Sequence, residues 1–138
     1  NNAFLHSHTF SGNPIACAAA LASLAIFRDE PVLDRIRALA ARLAERIEPL
    51  RGHPHVTGVR QTGLIAAFDL VADKSVGAAY PATERRGLRF YRDALAHGML
   101  LRPLGDTVYF LPPYCIGEGD IDSMVDTAID ALDAATAK

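Results

Sequence analysis

The spacing of apolar and polar positions changes several times along the chain, and each change marks an element. Residues 1–10 are irregular and rich in His, Ser and Thr. Asn13-Pro14 then opens a helix, because Asn is a good N-cap and Pro suits the first helical position. From Pro14 to about Arg28 this helix is Ala-rich and apolar on nearly every face. That is the pattern of a helix buried on most sides or packed tightly against a neighbour. It is out of scale with a small domain, and a missing partner domain or subunit accounts for it. Pro31 lies in the first turn of a second helix. There Val32, Leu33, Ile36, Leu39, Ala40, Leu43, Ile47 and Leu50 recur at helical spacing, while Arg35, Arg42, Glu45 and Arg46 take the wet side.

Beyond residue 52 the period shortens. HVTGVRQTG (55–63) and LIAAFDLVA (64–72) read as two strands joined near Gly63, followed by a polar loop with Lys74, Ser75 and Gly77. Thr83 is placed to cap a third helix, with Leu88, Tyr91 and Leu95 as its apolar stripe and Gly98 as its stop. LLRPL and TVYFL, joined at Gly105-Asp106, read as a hairpin. GEGDIDSMVDTAIDALDAA then closes the chain as an amphipathic helix through Ile121, Met124, Val125, Ala128, Ile129 and Leu132. The order predicts an α/β chain of the α+β type, with helices on one face of a small, mostly antiparallel sheet.

Composition narrows the class. With 138 residues, 50% of them hydrophobic, the chain can form a domain with a real core. A net charge of -2 offers no basic surplus for nucleic acid and no acidic tail. The two cysteines, Cys17 and Cys115, are far apart and in no CxxC pattern, which fits a reducing, cytosolic setting. PIACAAALASLAIF, the longest apolar stretch, is too short to span a bilayer, and no signal peptide opens the chain. The chain starts NNAFLHSHTF, without Met and with an apolar pair already in place, so it reads as a piece of a larger protein.

The hairpin carries the first candidate chemistry. A two-residue turn at Gly105-Asp106 would set Leu104 opposite Thr107, Pro103 opposite Val108 and Arg102 opposite Tyr109. Leu100, Arg102 and Leu104 would then share a face with Thr107, Tyr109 and Leu111. A guanidinium fork beside a phenol and ringed by Leu suits a carboxylate on an otherwise oily ligand. The competing reading is a structural Arg paired with an Asp of its own domain or snorkelling to water, and spacing alone favours it. Pro103 implies an edge or a bulge, which keeps Arg102 near the rim. In HSHTFSGNP, Ser7, Thr9 and Ser11 place hydroxyls ahead of a helix N-terminus that can hold a phosphate; ordinary N-capping is the simpler reading. His6/His8 and His53/His55 have HxH spacing, but no Cys or carboxylate stands nearby to complete a metal site, and no metal is expected. His97 reads as a cation at a helix end. Neither Lys74 nor Lys138 sits in an apolar setting, and no nucleophile has a neighbouring base. On its own residues the chain looks like a binding half without a catalytic residue.

HTFSGNPIACAAALASL resembles the segment of class III pyridoxal-phosphate aminotransferases that follows their cofactor-lysine region. GMLLRPLGDTVYFLPPY resembles, more narrowly, the biotin-pathway members of that family, and HPHVTGVRQTGLIAAFDL fits the stretch between. The resemblance covers essentially the whole chain but only the C-terminal part of the family's length. It implies the small C-terminal domain of a fold-type I pyridoxal-phosphate transferase, with residues 1–30 as interface loop and connecting helix and 31–138 as the domain. It implies a cytoplasmic homodimer with active sites at the interface, acting on small molecules and on neither nucleic acid nor membranes. The reaction implied moves an amino group from S-adenosylmethionine to 8-amino-7-oxononanoate, giving 7,8-diaminononanoate. Arg102 matches the family's arginine for the keto-acid carboxylate, and Tyr109 an aromatic lining the substrate site. Ser7 falls where a small residue, often Gly, touches substrate. His8 and Thr9 fall where the loop meets the cofactor phosphate of the neighbouring subunit, His8 replacing the Pro of many members. The Schiff-base lysine and the acidic partner of the pyridine nitrogen belong upstream of Asn1. This chain alone is therefore expected to be inactive and to hold pyridoxal phosphate weakly. A lysine donor, another ω-amino acid, or a non-catalytic carboxylate-binding module are the alternatives.

Overall fold

In the computed structural model, which describes residues 8–137, Asn13 ends the irregular stretch as expected. Its side-chain oxygen accepts from the Ala16 N–H at 3.1 Å, and helix α1 runs Pro14–Asp29. None of the α1 residues is buried: Ile15 is 81% and Leu21 68% exposed, an apolar surface left open to solvent. Glu30 turns extended and ends the helix, and α2 follows at Val32–Ile47. Packing separates two units, Asn1–Arg35 and Ile36–Lys138. The first holds α1; the second holds the sheet and the remaining helices.

In the second unit Pro49 converts the end of α2 into a 3-10 turn, Glu48–Gly52, that carries Leu50 into the core. Strands β1 (Val56–Thr62), β2 (Ile65–Leu70) and β3 (Thr107–Phe110) form one antiparallel sheet in the order β1-β2-β3. Gly63, at φ 57°, makes the β1–β2 turn. Helices α3 (Arg86–Ala96) and α4 (Glu118–Thr136) complete the unit. Side chains alternate along a strand, so one face carries Ala66, Phe68 and Leu70 of β2 with Val108 and Phe110 of β3. That face joins Leu39, Leu43 and Ile47 of α2, Phe90 and Ala94 of α3, and Ile121, Val125, Ala128 and Leu132 of α4 in one cluster. Phe68 meets the Phe90 ring edge-on at 6.2 Å and lies 6.1 Å from Phe110. Within this unit α2, α3 and α4 thus lie on one face of an antiparallel sheet, as the pattern predicted.

Three details differ from the sequence reading. LLRPL is not a strand. Leu104 makes a single bridge to Thr107, and the pairs Pro103–Val108 and Arg102–Tyr109 do not form. Pro103 has no N–H to give a ladder, so β3 pairs only with β2. Thr83 does not cap α3. Pro81 starts a 3-10 turn, Ala82–Glu84, and Arg85 at φ 48° precedes the helix instead. The buried stripe of α3 is Gly87, Phe90 and Ala94, not Leu88, Tyr91 and Leu95; Leu95 is 47% exposed. That face is set by contacts across the fold: Phe90 packs on Phe68 of β2, Gly87 lies against the Gly105 turn, and Ala94 joins the alanines of α4 in the core.

Charged clamps fix the helices and the open face of the sheet. Arg42 of α2 forks onto Asp122 of α4 at 2.9 and 2.8 Å, and this guanidinium holds the Asp122 carboxyl below the usual range. Arg46 pairs with Asp126. Arg86 is buried. It bonds Glu84 at 2.7 Å and the Ala135 and Ala137 carbonyls at 2.6 and 2.8 Å, and its guanidinium lies 4.7 Å over the Tyr80 ring. It therefore satisfies carbonyls left open at the α4 C-terminus, where a cation is favoured. On the solvent side of the sheet Asp69 accepts from Arg60 at 2.7 Å and from the Thr107 hydroxyl at 2.7 Å. Gly58 sits in the β1 bulge at φ 60°, where a Cβ would come within 2.4 Å of Asp69 Oδ2.

The Arg60 guanidinium, ahead of the Thr107 bond, lowers the Asp69 pKa against the opposing effect of burial. A lowered carboxylate adds stability above its ordinary pKa and loses it as the pH falls through the folded value. Arg60 is 54% exposed, so screening limits the gain to about 1 kcal/mol or less. Denaturant unfolding of the full-length protein should show Asp69→Asn destabilising at pH 7 and progressively less so below about pH 4. A penalty that does not change with pH would contradict this.

Candidate functional site

The segment between α3 and β3 is held by a close contact of two glycine backbones. A Cβ on Gly87, in the first turn of α3, would lie 1.9 Å from the Gly105 carbonyl oxygen. Only glycine permits that approach. Asp106 staples the same turn twice: its carboxylate accepts from the Gly87 N–H at 2.9 Å, and its carbonyl accepts from the Leu70 N–H at 2.8 Å. At the other end Leu101 is buried at 4% exposure. Leu100 and Arg102, on either side of the Leu101 anchor, both stay exposed.

Arg102 lies where two concavities meet. One, of about 600 Å³, is lined by Arg102, Tyr109, Leu100 and Leu111, with Pro112, Cys115 and Ile116 among the rest. The other, of about 500 Å³, is bounded by Arg85, Leu88, Tyr91, Pro103 and Asp106. The structure thus brings Arg102 and Tyr109 into one groove without the strand pairing expected of them. Arg102 has no hydrogen bond or ion pair among the described residues, unlike Arg42, Arg60 and Arg86, which each bond a carboxylate. The alternative of a structural ion pair for Arg102 has no partner here. Asp120 and Ser123 also line the larger groove, but the Asp120 carboxylate accepts from the Gly117 N–H at 3.0 Å and the Asp106 carboxylate from Gly87, and neither pairs with Arg102. A guanidinium with no ion pair of its own beside apolar side chains is suited to accept a ligand carboxylate.

The other predicted residues lie elsewhere. His8 and Thr9 belong to the first unit, in an exposed turn where Ser11 Oγ accepts from the His8 N–H at 3.2 Å. Ser7 lies outside the described residues, as do His6 and Lys138. Lys74 gives its ammonium to the Arg51 and His53 carbonyls. His53 contacts Asp133 at 3.1 Å, and Nδ1 of His55 contacts the Tyr80 hydroxyl at 3.0 Å. His97 Nδ1 meets the Asp93 carbonyl at 2.9 Å at the end of α3, the helix-end position expected of it. The sequence reading missed Gly87 and Asp106, which shape the site from 15 and 4 positions away from Arg102 (102 − 87 and 106 − 102). A glycine inside an otherwise regular helical pattern was their available signal.

The aminotransferase class-III family matches residues 1–132. An adenosylmethionine-8-amino-7-oxononanoate aminotransferase from Nitratidesulfovibrio vulgaris is 41% identical over 133 residues, which cover 96% of this chain and 24% of that protein. The crystal structure of the enzyme of that name from Methanocaldococcus jannaschii superposes with a TM-score of 0.88 at 33% identity, over 93% of this chain and 29% of that one. The PMP-bound form of an aminotransferase from Vibrio fluvialis gives 0.89 at 30% identity, over 96% and 29%. The chain spans between about a quarter and a third of the length of the relatives it matches.

The helices on an antiparallel sheet are the small α/β domain of the fold-type I pyridoxal-phosphate aminotransferases. Within that class the chain belongs to the class III aminotransferase family. Among the described residues, no helix is long and apolar enough to cross a membrane.

Gly87→Ala should push the Gly105 turn away and cost about 1–3 kcal/mol. Gly119→Ala, whose Cβ would meet nothing within 4 Å, should be neutral or stabilising in α4. Equilibrium denaturation of both variants in the full-length protein measures the difference; equal effects would refute the close-contact account.

Proposed function

We propose that the protein carrying this chain is a pyridoxal-phosphate-dependent aminotransferase that moves an amino group from S-adenosylmethionine to 8-amino-7-oxononanoate, giving 7,8-diaminononanoate in biotin synthesis. One observation carries the reading: an exposed Arg102 that pairs with no carboxylate among the described residues, in a mostly apolar groove with Tyr109. The relatives named for that reaction, at 41% identity in the example above, support it.

Arg102 binds the carboxylate at the far end of the keto-acid chain and so sets where the ketone lies. Tyr109 lines the same groove and orients the substrate from its side. When bound, pyridoxal phosphate supplies the electron sink for amine transfer. The residues present fit its phosphate: Thr9 carries a hydroxyl with no partner among the described residues, in the turn ahead of α1. His8 and Thr9 are assigned to the cofactor phosphate of the neighbouring subunit. Ser7 is assigned to the substrate side. The lysine that anchors the cofactor is assigned outside this chain, as the family resemblance implies; Lys74 donates to the Arg51 and His53 carbonyls. We assign the exposed apolar surface of α1 to contacts with the rest of a homodimeric, cytoplasmic enzyme. Burial of such leucines is worth roughly 1.5–3 kcal/mol each.

Arg102→Ala in the full-length enzyme should weaken use of the keto acid by about 2–5 kcal/mol in kcat/KM. Steady-state kinetics with 8-amino-7-oxononanoate and a panel of donors, including lysine, tests both the clamp and the donor. Unchanged kcat and KM would remove the clamp; turnover only with lysine would reassign the donor.

A further inference from the structure

The two leucines that flank this groove have no structural reason to be where they are. Leu100 and Leu111 are each 65% exposed, as Leu104 is at 68%, whereas Leu70 and Leu101 are buried to 4% or less; of these three exposed leucines only Leu100 and Leu111 line the groove of Arg102 and Tyr109. Within β3 Val108 and Phe110 are buried, so Tyr109 lies on the outward side. Leu100, Arg102 and Leu111 lie outside the strand and are exposed, while Leu101 between the first two is buried. Leu100, Arg102, Tyr109 and Leu111 line one groove.

We propose that Leu100 and Leu111 form a chain-length gauge, an apolar wall on which the polymethylene chain of the keto acid lies while Arg102 holds its carboxylate. The inference rests on the functional reading above and deepens it by naming the residues that select a long-chain substrate. The groove joins an apolar wall to a guanidinium that bonds no described residue, so its complement is an apolar chain ending in an anion. A fatty keto acid supplies both halves in one molecule. Each methylene laid on such a wall adds affinity that a short acid cannot gather, so the wall discriminates by length rather than by charge.

The test uses the full-length enzyme and two acceptors, 8-amino-7-oxononanoate and a homologue several methylenes shorter with the same amino-ketone and carboxylate. Leu100→Ala and Leu111→Ala should lower kcat/KM for the long acid by about ten-fold and leave the short acid within about two-fold, since one pocket methyl or methylene is worth roughly 10-fold or more. Leu111→Met, which keeps the volume, should retain the long-chain preference. An equal loss for both acids, or no loss for either, overturns the gauge. So does a fall in melting temperature without a length-dependent effect, which would mean the leucines cover protein instead. Arg102→Gln separates the two levels: if it leaves the long acid untouched, the substrate assignment of the groove fails; if it acts while the leucine variants do not, only the gauge fails.

Discussion

The contact on which the site depends is the approach of two glycine backbones. Gly87 in α3 and Gly105 in the turn before β3 lie too close for any side chain at position 87. Asp106 locks the contact by accepting from Gly87 and by offering its carbonyl to Leu70 of β2. Helix, turn and sheet are thereby joined through one residue. Pro103 prevents this segment from being held as a strand, so the staple and the buried Leu101 take over that role. Arg102 is suspended between them, with a placed backbone and an exposed side chain. Anchoring a loop at two points while leaving its functional group in solvent is what a preorganised binding residue requires.

Charge is used in two opposite ways in this unit. Arg86 is buried and fully engaged, with Glu84, two α4 carbonyls and the Tyr80 face around it. A buried guanidinium must be so satisfied, because leaving it unpaired would cost several kcal/mol. Arg102 is exposed and bonds no described residue, which water tolerates and a ligand carboxylate can exploit. The same side chain is a structural clamp in one place and in the other is left without an internal partner, which is the condition the proposed carboxylate clamp requires. Arg42 and Arg60 lie between these limits, each half-exposed and each on a carboxylate.

Much of this was legible in the chain. The Asn13-Pro14 start of α1, the Gly63 turn between β1 and β2, the Gly98 end of α3 and the apolar face of α4 follow from local rules of capping, glycine geometry and periodicity. The α3 stripe misled because Leu88, Tyr91 and Leu95 have helical spacing as good as that of Gly87, Phe90 and Ala94. Periodicity ranks faces by apolarity, whereas the fold chose the face on which Phe90 meets Phe68 and Gly87 meets the Gly105 turn. The hairpin misled because alternation was read through a proline that cannot join a ladder.

The sequence by itself determined the element types, the one-sided sheet and the presence of an arginine amid leucines and a tyrosine, since these depend on neighbours a few residues apart. It also carried the family resemblance in the GNP and RPLG segments. Only the tertiary structure decided that Arg102 lacks an internal carboxylate, that it shares a groove with Tyr109 without strand pairing, and that Gly87 and Asp106 hold it there. Those facts depend on which residues meet across the fold. Spacing along the chain cannot report a contact made when a helix backbone and a distant turn close to within a glycine's width.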